Sequence, residues 1–144
     1  MNKLSIFILI SLLIFSCGSN LKDGKICVKT IDGFGQESDV EFWVEDILVN
    51  ELKISEDVLV SIGKTACRYS DWNIEDKNYF YIDNNRINMI SFNKEKKVIK
   101  VWTHVVKSNF DGTQRYITNT FEFDLNGNVL YDETGDLSVY SYEY

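Results

Sequence analysis

Two runs near the C-terminus restrict what this chain can fold into more than anything else in it. Ile99, Val101, Thr103 and Val105 alternate with Lys100, Trp102 and His104. After a turn over Ser108 to Thr113, Ile117, Phe121, Phe123 and Leu125 share one side of a second run, with Tyr116, Thr118, Thr120, Glu122 and Asp124 on the other. A period of two puts each set on one face of an extended strand. Asn126-Gly127 follows at once, and between extended runs this pair signals a tight hairpin whose two central residues both need positive φ. Val129 to Asp132 then returns, Thr134-Gly135-Asp136 turns again, and Leu137 to Tyr144 supplies a last strand, so the C-terminal third reads as an antiparallel meander. The chain has no proline, which leaves glycine and asparagine to set the turns.

Upstream, Lys25 to Ile31 carries Ile26, Val28 and Thr30 on one face of a strand that Gly33-Phe34-Gly35 ends. From Glu37, Val40, Trp43, Val44, Ile47, Leu48 and Leu52 recur at steps of three and four, and this spacing predicts a helix with Ser38 as its cap and Asp39 and Glu41 in its first turn. Val58 to Ile62 and Tyr79 to Ile82 read as short strands, with a loop over Ser70 to Lys77 between them. Asp83-Asn84-Asn85-Arg86 is turn material, and Ile87 to Phe92 is extended again. The expected architecture is α+β: an antiparallel sheet whose aliphatic face, Ile99, Val101, Ile117, Phe121 and Phe123, is covered by Trp43, Val44, Ile47 and Leu48 of one amphipathic helix.

The first residues carry a different message. Lys3 precedes a mostly apolar stretch from Leu4 to Phe15. That is too short to span a bilayer, which needs about 20 residues, and it has the form of a signal-peptide core. Ile14-Phe15-Ser16-Cys17 resembles the bacterial lipobox, which implies cleavage before Cys17 and lipid on its sulfur. The expected organisation is a signal peptide over 1–16, a lipidated tether over 17–24 and one globular domain over 25–144, attached to the bacterial cell envelope. Cleavage near Ser19, which discards Cys17, is the alternative. A chain with 44% hydrophobic and 14% aromatic residues has enough apolar mass to fold rather than stay disordered. The formal net charge of −7 becomes −8 once Lys3 leaves, which repels phosphate backbones and argues against nucleic acid as a partner.

Of the three cysteines, Cys17 is assigned to lipid, which leaves Cys27 and Cys67 either bridged or as two buried thiols. A bridge would close a loop of about 40 residues, worth roughly 4 kcal/mol by chain entropy. Catalytic chemistry has little to draw on. His104 is the only histidine, so multi-histidine zinc sites are excluded, and Cys27 and Cys67 have no metal-ligand spacing. A Cys67–His104 nucleophile pair is formally available, as are carboxylates at Asp71, Asp76, Asp83 and Asp124 for hydrolysis. Asp124 to Asn128 has a superficial likeness to a calcium loop, but its glycine is in the fourth place rather than the sixth, so a hairpin explains it better. No cofactor is expected.

The second face of the meander groups Trp102, Tyr116, Tyr131, Tyr140, Tyr142 and Tyr144 among charges and threonines. Such a surface either binds a protein or glycan or stabilises the sheet through cross-strand aromatic pairs. Trp72, Tyr79-Phe80-Tyr81-Ile82-Asp83, Ile87, Val98-Ile99-Lys100-Val101-Trp102, Phe123-Asp124 and Gly127-Asn128-Val129-Leu130 together resemble the pattern of small bacterial surface lipoproteins related to the adhesin E family, over Trp72 to Tyr131. The resemblance implies a helix-decorated antiparallel sheet at the cell surface that contacts host or envelope proteins. The leading expectation is a non-catalytic, lipid-anchored binding protein. The alternatives are an acidic immunity protein that neutralises a basic toxin and a small hydrolase using surface carboxylates. Edge strands of the sheet also offer a route to pairing two copies.

Overall fold

The computed structural model describes residues 21, 23–71, 74, 79–131 and, as backbone, 139–143. The fold is α+β: a mostly antiparallel sheet with a helix packed on one face. Its strands are β1 (Lys25–Ile31), β2 (Glu37–Val44), β3 (Phe80–Ile82), β4 (Asn88–Asn93), β5 (Val98–Ser108), β6 (Gln114–Phe123) and β7 (Val139–Glu143). The spatial order is β1-β2-β4-β5-β6-β7, and β3 pairs with the far half of β5 beyond the reach of β4. β5, β6 and β7 fall within the expected meander, and β4 adds a further antiparallel strand before it. The β2–β4 pair is parallel. Parallel neighbours need a long crossover, and here it carries α1 (Asp46–Asn50), α2 (Glu56–Tyr69) and β3.

The helix is not where the spacing from Glu37 placed it. Glu37 to Val44 is a strand, with Val40, Phe42 and Val44 buried and Glu37, Glu41 and Trp43 exposed. Only the short α1 follows. Ser38 pairs with Thr30 in the ladder and caps nothing. The principal helix, α2, covers the stretch read as a strand at Val58 to Ile62. Ser55 caps it, accepting from the Val58 N–H at 3.3 Å, with Glu56 and Asp57 in its first turn and Arg68 in its last. Leu59, Ile62, Gly63, Ala66 and Cys67 make its buried face at helical spacing. This face meets Ile26 and Val28 of β1, Phe42 of β2 and the predicted aliphatic row Ile99, Val101, Ile117, Phe121 and Phe123, so α2 supplies the main cover; of the four residues expected there, Val44 and Leu48 are buried in the same core, Ile47 packs at its margin and Trp43 faces away. The approach is close: a Cβ on Gly63 would stand 3.1 Å from Val28 Cγ1 and 3.2 Å from Phe42 Cε2.

A buried polar joint ties the end of α2 to the sheet. The Ser70 hydroxyl donates to the Ala66 carbonyl at 2.6 Å, which leaves Thr103 to donate to Ser70 Oγ at 2.7 Å. The Asn119 amide donates to the Ser70 carbonyl at 2.7 Å. All three side chains are buried, and among the described residues no buried side-chain polar atom lacks a partner.

Three hairpin turns share one construction. In Asp32–Gln36, Asn109–Thr113 and Asp124–Asn128, the first N–H donates to the fifth carbonyl and the fourth N–H to the first carbonyl. The fourth residue is glycine each time, with φ of +79°, +86° and +89°. This is a type I turn followed by a left-handed residue, so at Asn126-Gly127 only the glycine has positive φ, and the two-residue turn expected there is replaced by a longer one. Among the described residues, the return from Val129 is reduced to isolated bridge residues, Val129 pairing with Phe123.

Candidate functional site

The reactive groups named from the sequence do not converge. Cys27 sits in β1 between the buried Ile26 and Val28, so it points away from the face that α2 covers, whereas Cys67 lies within that buried layer. Cys67 is a free thiol, so of the alternatives the sequence left open the Cys27–Cys67 bridge is not formed. Burial pushes the Cys67 thiol up to about 12, far from a usable thiolate.

His104 faces the opposite side of the sheet, so the Cys67–His104 pair does not form either. Its Nδ1 lies 2.9 Å from Thr118 Oγ1, and its backbone N–H donates to Asn88 Oδ1 at 2.8 Å. Burial lowers its pKa below the usual 6.5 and the Arg86 charge adds to this, while a backbone hydrogen bond at Ile87 and the charge of Asp83 oppose it.

Asp83 and Asp124 are both committed to turns. Asp83 accepts from the Asn85 N–H and pairs with Arg86 at 3.7 Å. Asp124, on the turn at the other end of the sheet, accepts from the N–H groups of Asn126 and Asn128, each at 2.9 Å. Asp71 ends α2, and Asp76 lies outside the described residues. Among the described residues, no group of three or more His, Cys, Asp and Glu is placed to hold a metal ion, and no helix is long and apolar enough to cross a membrane.

The second sheet face carries a row that crosses six strands in register: Lys25, Trp43, Met89, Trp102, Thr120 and Tyr140. Trp102 and Tyr116 share this face as expected, and the backbone register places Tyr142 beside Thr118. Among the described residues the face is partly closed. Val106, Thr118, Thr120 and Glu122 are buried on it, and Trp102 and Tyr116 are half-buried. Arg86 stacks 5.4 Å above the Tyr116 ring and Lys100 lies 5.9 Å from the Trp102 ring. Tyr131 is exposed beyond the Asp124–Asn128 turn, the side chains of Tyr140 and Tyr142 fall outside the described ones, and Tyr144 falls outside the described residues. Trp43, expected in the core, is 43% exposed here, with Lys25 Nζ 4.4 Å from its ring centre.

The two most exposed large apolar side chains among the described residues, Phe110 and Ile31, lie elsewhere, toward one end of the sheet. β1 starts beside Trp43 and ends at Ile31, which is 70% exposed; the next turn carries Phe34, and the β5–β6 turn carries Phe110, 85% exposed. Between these turns stands Tyr79, just ahead of β3. Its ring meets Phe34 at 6.1 Å and Phe110 at 4.8 Å, both edge to face. The Gly33 N–H donates to the Phe80 carbonyl at 3.0 Å, which fixes the first turn against β3. Three separate stretches thus build one aromatic row on hydrogen-bonded turns. It lies at the end of the sheet away from the start of β1, about 20 Å off at the usual rise per strand residue. Reading the sequence for faces missed it, because Phe34 and Phe110 sit in turns. The signal that marks it is the recurrence of Asp or Asn three places before Gly, twice with a phenylalanine between them.

No protein-family model matches this chain, and no curated protein or solved structure matches it.

Proposed function

We propose that this chain is a non-catalytic binding protein of the bacterial envelope, held to the membrane by lipid on Cys17 and engaging its partner through the tip formed by Ile31, Phe34, Tyr79 and Phe110. The observation that carries the reading is that the exposed Phe34 and Phe110 meet on the half-buried Tyr79, on hydrogen-bonded turns, with the exposed Ile31 ending β1 just before the Phe34 turn, at the end of the sheet remote from the start of β1. A lone exposed phenylalanine needs no explanation, whereas a contiguous patch of them marks an interaction surface. Turns already ordered by their own hydrogen bonds lose little entropy on binding. An anchor at Cys17 places the start of β1 toward the bilayer and the tip outward. Several acyl chains on one residue meet the requirement for stable attachment. The likeness to adhesin E-type lipoproteins supports the same placement. Lipidation consumes the Cys17 sulfur as a thioether, and with Cys67 free a bridge from Cys27 within this chain could reach only Cys17, so a Cys17–Cys27 disulfide found in the mature protein by non-reducing mass spectrometry would overturn the lipid anchor.

Two measurements test this. Radiolabelled palmitate should enter the wild-type protein and not the Cys17→Ser variant. In pull-downs from intact envelopes, the wild type and Trp102→Ala/Tyr116→Ala should recover the same species, and Phe34→Ser/Phe110→Ser should lose it. Recovery that survives the tip substitutions and fails with those on the sheet face would move the site to that face.

An immunity protein against a basic toxin is a second reading. It is favoured by the acidic turns at the tip.

A further inference from the structure

The chemistry of the tip narrows the kind of partner it suits, an inference that rests on the tip being the binding surface. The two outer turns, Asp32–Gln36 and Asn109–Thr113, contain two aspartates and no lysine, arginine or histidine, and Glu37 follows, exposed, at the start of β2. Asp32 Oδ1 accepts from the N–H groups of Phe34 and Gln36, both at 2.9 Å. Asp111 Oδ1 accepts from the Thr113 N–H at 3.0 Å and the Thr113 hydroxyl at 2.6 Å. These bonds hold a negative charge beside each exposed phenylalanine. Hydrogen bonds from the Thr113 side chain and backbone also lower the Asp111 pKa, which keeps it ionised. Among the described residues, cations near the tip appear only on the strands below. Lys29 stands between Glu37 and Asp39 at 3.6 and 3.7 Å, Lys107 is buried, and Arg115 is half-buried.

Each class of partner makes a different demand on such a tip. Anionic headgroups would be repelled by the carboxylates. A sugar needs convergent polar groups in a concave site. Here the side chains project, and the turn aspartates already accept bonds from their own backbone. We propose that the tip docks on a protein that offers an apolar pocket rimmed by lysine or arginine, with Phe110 entering the pocket and Asp32 and Asp111 facing the rim. The ring supplies a buried aromatic anchor. The fixed carboxylates raise the association rate and set the orientation.

The test places benzoylphenylalanine at Phe110 in the full chain, made in the cells that naturally produce it, and photolyses it in low and high salt. Asp32→Asn/Asp111→Asn serves as the charge variant, because asparagine keeps the side-chain oxygen that accepts the turn bonds. The expected result is a protein adduct whose crosslinked peptide contains lysine or arginine, with yield falling on the order of tenfold in high salt and in the charge variant. A protein adduct insensitive to both, or an adduct with lipid or sugar, overturns this inference and leaves the tip as the binding surface. No adduct at position 110 overturns the binding role of the tip, and this inference with it.

Discussion

The turns Asn109–Thr113 and Asp124–Asn128 are built alike and serve opposite ends of the molecule. Both close on the same pair of backbone hydrogen bonds, and both put glycine at positive φ in the fourth place. At the outer end the second residue, Phe110, is 85% exposed and nothing lies within 4 Å of where a Cβ on Gly112 would be. At the inner end the turn tucks under α2, where a Cβ on Gly127 would stand 3.0 Å from Val58 Cγ1 and 3.6 Å from Ile62 Cγ1. One local construction is therefore a packed joint in one place and a presenting surface in the other. The five residues set the geometry of each turn, and what packs against it decides its role.

The largest expected effect separates the two glycines. Gly127→Ala combines left-handed strain with a clash against the branched Val58 and should cost about 3 kcal/mol. Gly112→Ala meets only the strain and should cost about 1 kcal/mol. Urea unfolding measures both, and equal losses would mean that the inner turn is not packed as described.

Next in size is the joint between α2 and the sheet. Asn119→Ala removes the donor to the Ser70 carbonyl and leaves that group buried without it, at a cost of about 2 kcal/mol in the same assay.

Acid should loosen both turns, because Asp111 in the outer one and Asp124 in the inner one each have a lowered pKa. Burial raises the Asp124 pKa, but the bonds from Asn128, Asn126 and Gly127 outweigh it and hold the carboxyl below its usual 3.8. The stability this supplies is present above 3.8 and is lost as pH falls through the lowered value. His104 works in the same direction at higher pH. Its pKa is depressed below 6.5, so its contribution is complete above 6.5 and declines as pH falls through the depressed pKa. His104→Gln should flatten the pH dependence of unfolding in that upper range and leave the acid limb that belongs to the two aspartates.

The smallest expected effect on stability, within about 0.5 kcal/mol, is that of Phe110→Ser, because an exposed side chain has little folding contact to lose. The same change should remove partner binding.

The meander was legible because β5 and β6 alternate between a buried and a more polar side, and that alternation survives whatever lies next to them. The helix was misplaced for a reason that can be traced to residues. From β2 into α1, Val40, Trp43, Val44 and Ile47 happen to fall at helical steps, while the period-two set of β2, Val40, Phe42 and Val44, has only three members. In α2 the buried face includes Gly63, Ala66 and Cys67, small residues that add little to an apolar pattern, and the β-branched Val58, Val60 and Ile62 imitate a strand. The Ser55-Glu56-Asp57 start, with its cap and acidic first turn, was the readable mark of the helix. The lack of a Cys27–Cys67 bridge was not readable, since it depends on which face of β1 each residue takes relative to α2. The tip depends on three turns meeting in space, which no single stretch of sequence reveals.

The contrast between the two turns is tested most directly by placing the same photoreactive side chain at position 110 in one protein and at position 125, the equivalent second place of the inner turn, in another. Partner adducts should form from 110 and be absent from 125, and adducts from 125 with none from 110 would contradict the assignment of binding to the outer end.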